Sequence, residues 1–313
     1  MNVVLMFVFE MLLARRFGTS FEMDCYLAAI TIPELVVAVA VGGFNYALIP
    51  SLVAQLEGEN PDYAFHLMNT WLNIIFISFA VFSILTGFWS RPIVHLFFPG
   101  FSNAQTTFAA KLLCFYFPVM IFKIMTILLS SIYFARYRFT IAPLAPAIGA
   151  VSAVLFFLIF EPFLKMFSIP LALTLSTVLQ FSILFGIYLK EGHYQFDFWL
   201  KHGLFIKHVK LMLPLLIGGL ITKSNFLVDR TIASTLETGA ISCLGYATKI
   251  MNVFLLIGIG GLSLASFPVI SSVIAKRDYN RLREMNHRAF STIFFITVSI
   301  YVVVFFYGNE FLS

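Results

Sequence analysis

Four cations stand inside apolar runs of this chain: Lys123, Lys223, Arg230 and Lys249. The acids in comparable surroundings, Asp24, Glu34 and Asp229, are isolated. A charge at the centre of a bilayer costs at least about 2.5–3.5 kcal/mol on insertion scales, so such residues face a cavity, a partner or the interface rather than lipid. The chemistry open to them is anion binding, with phosphate the natural ligand of an ammonium or guanidinium group. Lys249 is the strongest candidate. It follows Gly245-Tyr246-Ala247, precedes a long apolar stretch and has no acid three or four residues away. Its bland alternative is snorkelling to the interface. Lys123 is flanked by Phe122 and Ile124, and Lys223 reads as mid-helix. Asp229 and Arg230 follow about two turns on, where Arg230 could equally cap a helix end beside a paired Asp229. Glu34 follows Pro33, with Lys123 or Lys249 as its expected partner. Glu10 is expected to pair with Arg15 or Arg16.

Nothing in the sequence is built for covalent chemistry. It has no GxSxG elbow, no phosphate-binding P-loop and no pair of carboxylates on one helix face. The six histidines form no HExxH, and the three cysteines, Cys25, Cys114 and Cys243, lie far apart in apolar runs. They read as free, inert thiols. We expect no metal, no cofactor and no enzyme. His193-x-x-x-Asp197 reads as part of a solvated loop, and the aromatic residues as lipid-facing and core packing.

The elements that must position these residues are transmembrane helices. Of the 313 residues, 60% are hydrophobic and 11% charged, against roughly 25% charged in soluble proteins. Mean hydropathy is +0.94. A soluble exterior cannot be made from this composition. Disordered, collagenous, coiled-coil and disulfide-framework classes are excluded with it. The net charge of +5 does not point to nucleic acid, because the basic residues are spread over loops with no aromatic-basic ladder. They fit the positive-inside rule instead.

About 20 apolar residues span a bilayer. Apolar runs between polar breaks predict an all-α bundle of about nine helices, near 2–14, 24–54, 67–90, 106–134, 139–160, 168–189, 208–236, 240–274 and 287–311. The first is too short to span, and Arg15 and Arg16 follow it rather than precede it. It reads as the second half of a helix that begins outside this chain. The loops after even-numbered helices carry Arg136, Arg138, Lys190, Lys201, Lys207, Lys210, Lys276, Arg277, Arg281, Arg283 and Arg288, against five cations in the odd-numbered loops. The even loops and the missing N-terminus are therefore expected in the cytoplasm. The acidic 55–66 loop goes against that trend.

Interior prolines and glycine pairs suggest helices that bend. The expected hinges are Pro33, Gly42, Gly43, Gly260, Gly261 and Pro268. An internal repeat supports this. Shifting residues 25–50 by 218 sets Cys25 on Cys243, Gly42-Gly43 on Gly260-Gly261, and Pro50 on Pro268. Helix 2 then corresponds to helix 8, and an even offset makes the repeat parallel, a known transporter layout. The expected organisation is an N-terminal lobe of helices 1–6 over 1–190, a cytoplasmic linker over 191–207, and a partial C-terminal lobe of helices 7–9 over 208–313.

Specific strings complete the reading. Ala14-Arg15-Arg16-Phe17-Gly18, Asp24, Ile32-Pro33, Gly43-Phe44 and Pro50 resemble the opening of the MviN/MurJ lipid II flippases, of the multidrug/oligosaccharidyl-lipid/polysaccharide exporter superfamily. Pro99-Gly100-Phe101, Phe117-Pro118, Arg138-Phe139-Thr140, Ala145-Pro146, Ala233-Ser234, Tyr246-Ala247-Thr248-Lys249, and Pro268 with Ser271 also fit. The resemblance implies two six-helix lobes that rock between inward-open and outward-open states in the bacterial cytoplasmic membrane. Between them a cationic cavity would receive the pyrophosphate of a polyprenyl-linked saccharide, driven by a coupling ion or the membrane potential. It places Asp24 on the family's acidic position. Lys249 stands where the family has an arginine, and Phe9 and Val37 stand where it has two others. Lys123, Lys223 and Arg230 are the further candidate substrate contacts, with Glu34 and Asp229 for coupling or ion pairing. Two other readings stay open: a cation antiporter of the multidrug branch, and an inactive or partner-dependent fragment lacking a C-terminal portion.

Overall fold

The computed structural model describes residues 2–58 and 60–255, with a scatter of positions between 287 and 306. Most of those residues are helical, and they hold five stretches long and apolar enough to cross a membrane: 21–56, 62–82, 103–135, 141–190 and 203–233. They divide into two compact units, 1–244 and 245–313. The helices of the first unit are α1 (Asn2–Phe17), α2 (Phe21–Gly43), α3 (Ile49–Leu56), α4 (Asp62–Phe97), α5 (Asn103–Ala135), α6 (Ile141–Leu164), α7 (Ser168–Lys190), α8 (Gly203–Lys223) and α9 (Asn225–Ala233). Helix α10 (Ala240–Leu255) begins in the first unit and continues into the second. The expected hinges Gly260, Gly261 and Pro268 lie outside the described residues.

The helix starts follow from side chains that satisfy free backbone donors. Ser20 accepts a hydrogen bond from the Met23 amide, and Glu22 and Asp24 place negative charge at the positive end of α2. Ser102 and Gln105 form a reciprocal capping box at α5. Helix α5 is the central post, packed on α2, α4 and α7, while α6 and α7 pack along each other. Its first two-thirds and last third both face core, with Leu112, Leu113, Ile124, Leu128, Leu129 and Ile132 at most 1% exposed. Helix α1 seats on α6 through an edge-to-face contact of Phe9 with Phe157, ring centroids 5.4 Å apart.

Two expected helices are interrupted. The second runs as α2, a π-helical turn at Phe44–Leu48 and α3, with the Ile49 amide donating back to the Phe44 carbonyl. Pro50 has no amide to donate and its ring crowds the preceding turn, and the widened turn absorbs that disturbance. Ser51 donates to the Ala47 carbonyl at 2.8 Å across the same place. The seventh divides at Ser224 into α8 and α9. There Thr222 and Ser224 turn their hydroxyls back onto the carbonyls of Gly218 and Ile221, competing with the helical ladder. Lys223, expected mid-helix, is consequently the last residue of α8.

The two glycines at the end of α2 do different things. A methyl group on Gly43 would lie 2.7 Å from Leu216 Cδ2 and 3.2 Å from Met212 Cγ, so its missing side chain is what lets α8 approach α2. Nothing lies within 4 Å of the same position on Gly42. Gly43→Val should therefore destabilise the chain by about 1–3 kcal/mol through overpacking. Gly42→Ala should be neutral or stabilising by up to about 1 kcal/mol. Thermal unfolding of the two variants in detergent checks this, and equal losses would refute the distinction.

Candidate functional site

The turn between α9 and α10 contains Gly239, whose φ of +99° is open to glycine and strained for other residues. That conformation aims its amide at α2. The Gly239 N–H donates to Asp24 Oδ2 at 2.5 Å, and the Ser242 N–H and hydroxyl donate to Asp24 Oδ1 at 2.8 and 2.5 Å. Asp24 is 2% exposed. Its carboxylate caps the first turn of α10 from the side of another helix, at the positive end of that helix's dipole.

Arg230 makes the reciprocal connection. From α9 its Nη1 donates to the Leu27 carbonyl at 2.6 Å and to Thr31 Oγ1 at 3.0 Å. The guanidinium lies over the Phe226 ring, 4.3 Å from its centroid, and the side chain is 5% exposed. Asp24, Leu27 and Thr31 occupy successive turns on one face of α2, so the 225–242 segment is held to that face by two charged ties.

These placements revise the sequence reading in part. Arg230 neither caps a helix end at the surface nor pairs with Asp229, which is exposed; the packing of α9 turns Arg230 inward against α2 and Asp229 outward. Asp24 and Arg230, expected to touch substrate, make hydrogen bonds within the protein through both Asp24 oxygens and Arg230 Nη1. Arg16, an expected partner of Glu10, donates to Glu161 at 3.1 Å. Lys123 on α5 and Lys223 on α8 are exposed, and neither joins an ion pair among the described residues. Lys249 is half-buried on α10, in the second unit.

Comparisons with known proteins place the chain in a family. The lipid II flippase MurJ family model matches residues 13–313. The chain belongs to the lipid II flippase MurJ family. A probable lipid II flippase MurJ of Buchnera aphidicola from Acyrthosiphon pisum is 25% identical over 98% of the chain and 63% of its own length. The lipid II flippase MurJ of Burkholderia cenocepacia is 22% identical over 96% of the chain and 62% of its own length. The chain thus spans about three-fifths of these relatives. A solved lipid II flippase MurJ in an inward closed conformation superimposes with a TM-score of 0.78, at 24% identity, over 98% of this chain and 63% of that one. That likeness carries the fold.

At the other end of this MurJ-family bundle, sequence reasoning missed a built structure. Residues 191–202 are not helical, and they are strapped across the ends of α4, α5 and α7. Asn69 and Asn73 donate to the carbonyls of His193 and Asp197, each at 2.9 Å, and the Trp199 amide donates to Thr70 Oγ1. Tyr188 and Tyr194 donate in turn to Asn69 and Asn73. His193 stacks on Phe65 at 3.8 Å, and Trp199 on His66 at 4.4 Å. His66 Nδ1 lies 2.6 Å from Asp197 Oδ2. Arg136 and Arg138 both grip Glu191. They flank Tyr137, which adopts φ +58° in the left-handed cap of α5, with the Arg138 amide bonded to the Tyr133 carbonyl. The expected solvated loop is therefore held, because His66, Asn69, Thr70 and Asn73 form a polar stripe at helical spacing that needs partners. That stripe was legible in the sequence.

Two predictions follow from the two ends. Asp24→Ala strands the amides of Gly239 and Ser242 in a buried site, at about 1–3 kcal/mol for each unsatisfied group; Asp24→Asn, which keeps an acceptor oxygen, should lose less. Thermal unfolding separates them, and an Asp24→Ala variant as stable as the parent would remove the capping role. The strap should loosen in acid. Burial, reinforced by Arg136, holds the His193 imidazole below its ordinary 6.5. Partial burial pushes the Glu191 carboxyl up, but its hydrogen bonds to Arg136 and Arg138 win and hold it below 4.5. Both groups bind fewer protons folded than unfolded, so stability is complete above pH 6.5 and falls as each is protonated. In a chain with Trp199 as its one tryptophan, emission should change as pH falls below 6.5, then again below 4.5. Emission constant between pH 7 and 4 would contradict this.

Proposed function

We propose that the chain flips a polyprenyl-pyrophosphate-linked saccharide, lipid II or a related polysaccharide precursor, across the bacterial cytoplasmic membrane by alternating access. The observation that carries this reading is the exposure of Lys123 and Lys223 at membrane-spanning segments without acidic partners among the described residues. Facing lipid, each would cost at least about 2.5–3.5 kcal/mol. Facing a water-filled cavity, each offers a hydrated ammonium to a pyrophosphate. Lys249, half-buried on α10, stands where the resemblance places an arginine of the family. Cations at these places favour an anionic headgroup over the cationic substrates of an antiporter. The lipid II flippases among the relatives support the same substrate class.

No bond need form or break in this work, so it is transport rather than enzymatic catalysis. The lobes of the proposal are 1–190 and 208–313, joined through 191–207, with Pro33 and the glycine pairs as hinges. The ties of Asp24 and Arg230 hold one end closed, and opening that end requires them to part. The even-numbered loops, with the strap, face the cytoplasm, where Arg136, Arg138, Lys190 and Lys201 meet the positive-inside rule. A coupling ion would act through Glu34 or Asp229, and further helices from a partner or a longer chain would complete the second lobe.

The test is transport by the chain in cells depleted of their own flippase, scored by lipid-linked saccharide reaching the outer leaflet. A charge-assisted contact is worth about 1.5–3 kcal/mol, so Lys249→Ala should lower transport roughly tenfold or more with membrane insertion unchanged. Lys249→Arg, which keeps the charge, should retain most of it. Parental transport by Lys249→Ala would sink the assignment.

A further inference from the structure

Helix α4 is 36 residues long. At 1.5 Å per residue it extends about 54 Å, well beyond a hydrocarbon core of about 30 Å. Its first turns lie under the strap, so its last turns emerge at the opposite membrane surface. There the ends of α4 and α5 enclose an open groove of about 550 Å³, lined by Arg91, His95, Leu96, Asn103 and Thr106 among others. Arg91 and His95 are exposed four residues apart, on one face of the helix. Neither forms an ion pair among the described residues.

The other wall is the start of α5, where the capping box occupies Ser102 and Gln105 and leaves the Asn103 and Ala104 amides without an acceptor among the described residues. Free amides at a helix start favour an anion. A second observation points to a ligand independently of that geometry. Thr106 is 2% exposed, and its hydroxyl is buried with no hydrogen-bond partner, although it lines the groove. Buried hydroxyls are ordinarily paired. Beside the polar wall, Leu96 is 74% exposed and Trp89 67% exposed. Tryptophan at such a place marks the headgroup level of a bilayer.

We propose that this groove binds the phosphodiester headgroup of an anionic membrane phospholipid. Arg91 and His95 donate to the phosphate from α4, and the first amides of α5 with the Thr106 hydroxyl donate from the other side. One guanidinium with a helix start matches the single charge of a phosphodiester better than the higher charge of a pyrophosphate. The groove opens sideways to lipid, which a free anion would not require. The site is thus separate from the transported substrate's cations, and it gives the exit end of the bundle a fixed contact with the surrounding leaflet.

The test is native mass spectrometry of the detergent-solubilised chain with equimolar phosphatidylglycerol and phosphatidylcholine. Phosphatidylglycerol should dominate the first bound adduct on the parent chain. Arg91→Ala should reduce that preference about fivefold, the usual effect of one basic residue near an anionic surface. Thr106→Val should weaken it with the charge intact, and Arg91→Lys should preserve most of it. Equal binding of the two lipids to the parent chain would overturn the proposal without any variant. So would an Arg91→Ala chain of unchanged preference. Displacement of the lipid by millimolar inorganic phosphate would assign the groove to a free anion, and displacement by a smaller amount of polyprenyl pyrophosphate would assign it to the transport path. Either result overturns the phospholipid.

Discussion

In hydrocarbon every backbone donor and acceptor must find its partner inside the protein. The helices of this chain meet that demand by themselves, so the places that need explaining are those where the helix stops. At two of them, the turn into α10 and the strap, polar side chains from a neighbouring helix take over. Asp24 on α2 receives the amides of the turn into α10. Asn69, Thr70 and Asn73 on α4 serve the carbonyls and amide of the strap. All four are at most 4% exposed. Arg230 works in the other direction, bringing its donors to a carbonyl of α2 that Thr31 also contacts. The buried polar residues are therefore the fastenings of the irregular segments, and the apolar majority fills the space between.

This division of labour explains what could be read from the sequence. Helices such as α5 and α7 are written locally, as uninterrupted apolar runs with a capping serine or a polar break, and their limits agree with the structure within a few residues. The breaks were harder. Pro50 announced a disturbance at the end of α2, but the π turn that absorbs it depends on how the next helix packs. Ser224 gave no comparable warning, since its effect comes from a hydroxyl folding back onto its own helix. The partners of charged residues were least legible. Arg230 and Asp229 are adjacent, yet one is buried against α2 and the other exposed, and only the packing of α9 decides which. The strap was missed for the same reason. Its residues are 120–130 positions from the helix that holds them, and only the polar stripe on α4 hinted at a partner.

Exposure separates the charged candidates in a way that the sequence did not. Asp24 and Arg230 make buried hydrogen bonds inside the protein and work as fasteners of one end. Lys123 and Lys223 join no ion pair among the described residues, the state that the proposed transport needs in groups that must take hold of a ligand and release it. A cation already locked to an acid would have to exchange one partner for another at every cycle.

The contact between Asp24 and Ser242 has one more consequence. The two are 218 residues apart, the offset at which the sequence reading sets residues 25–50 on 243–268, and under that expected repeat they are equivalent positions. Two identical chains side by side would set aspartate against aspartate there, and the like charges would push the copies apart. Set serine against serine and neither copy would carry the anion that holds the helix start. On that pairing the fastening needs two copies that differ: one carries the acceptor, the other the donors. A symmetric pair of half-length proteins could not reproduce it.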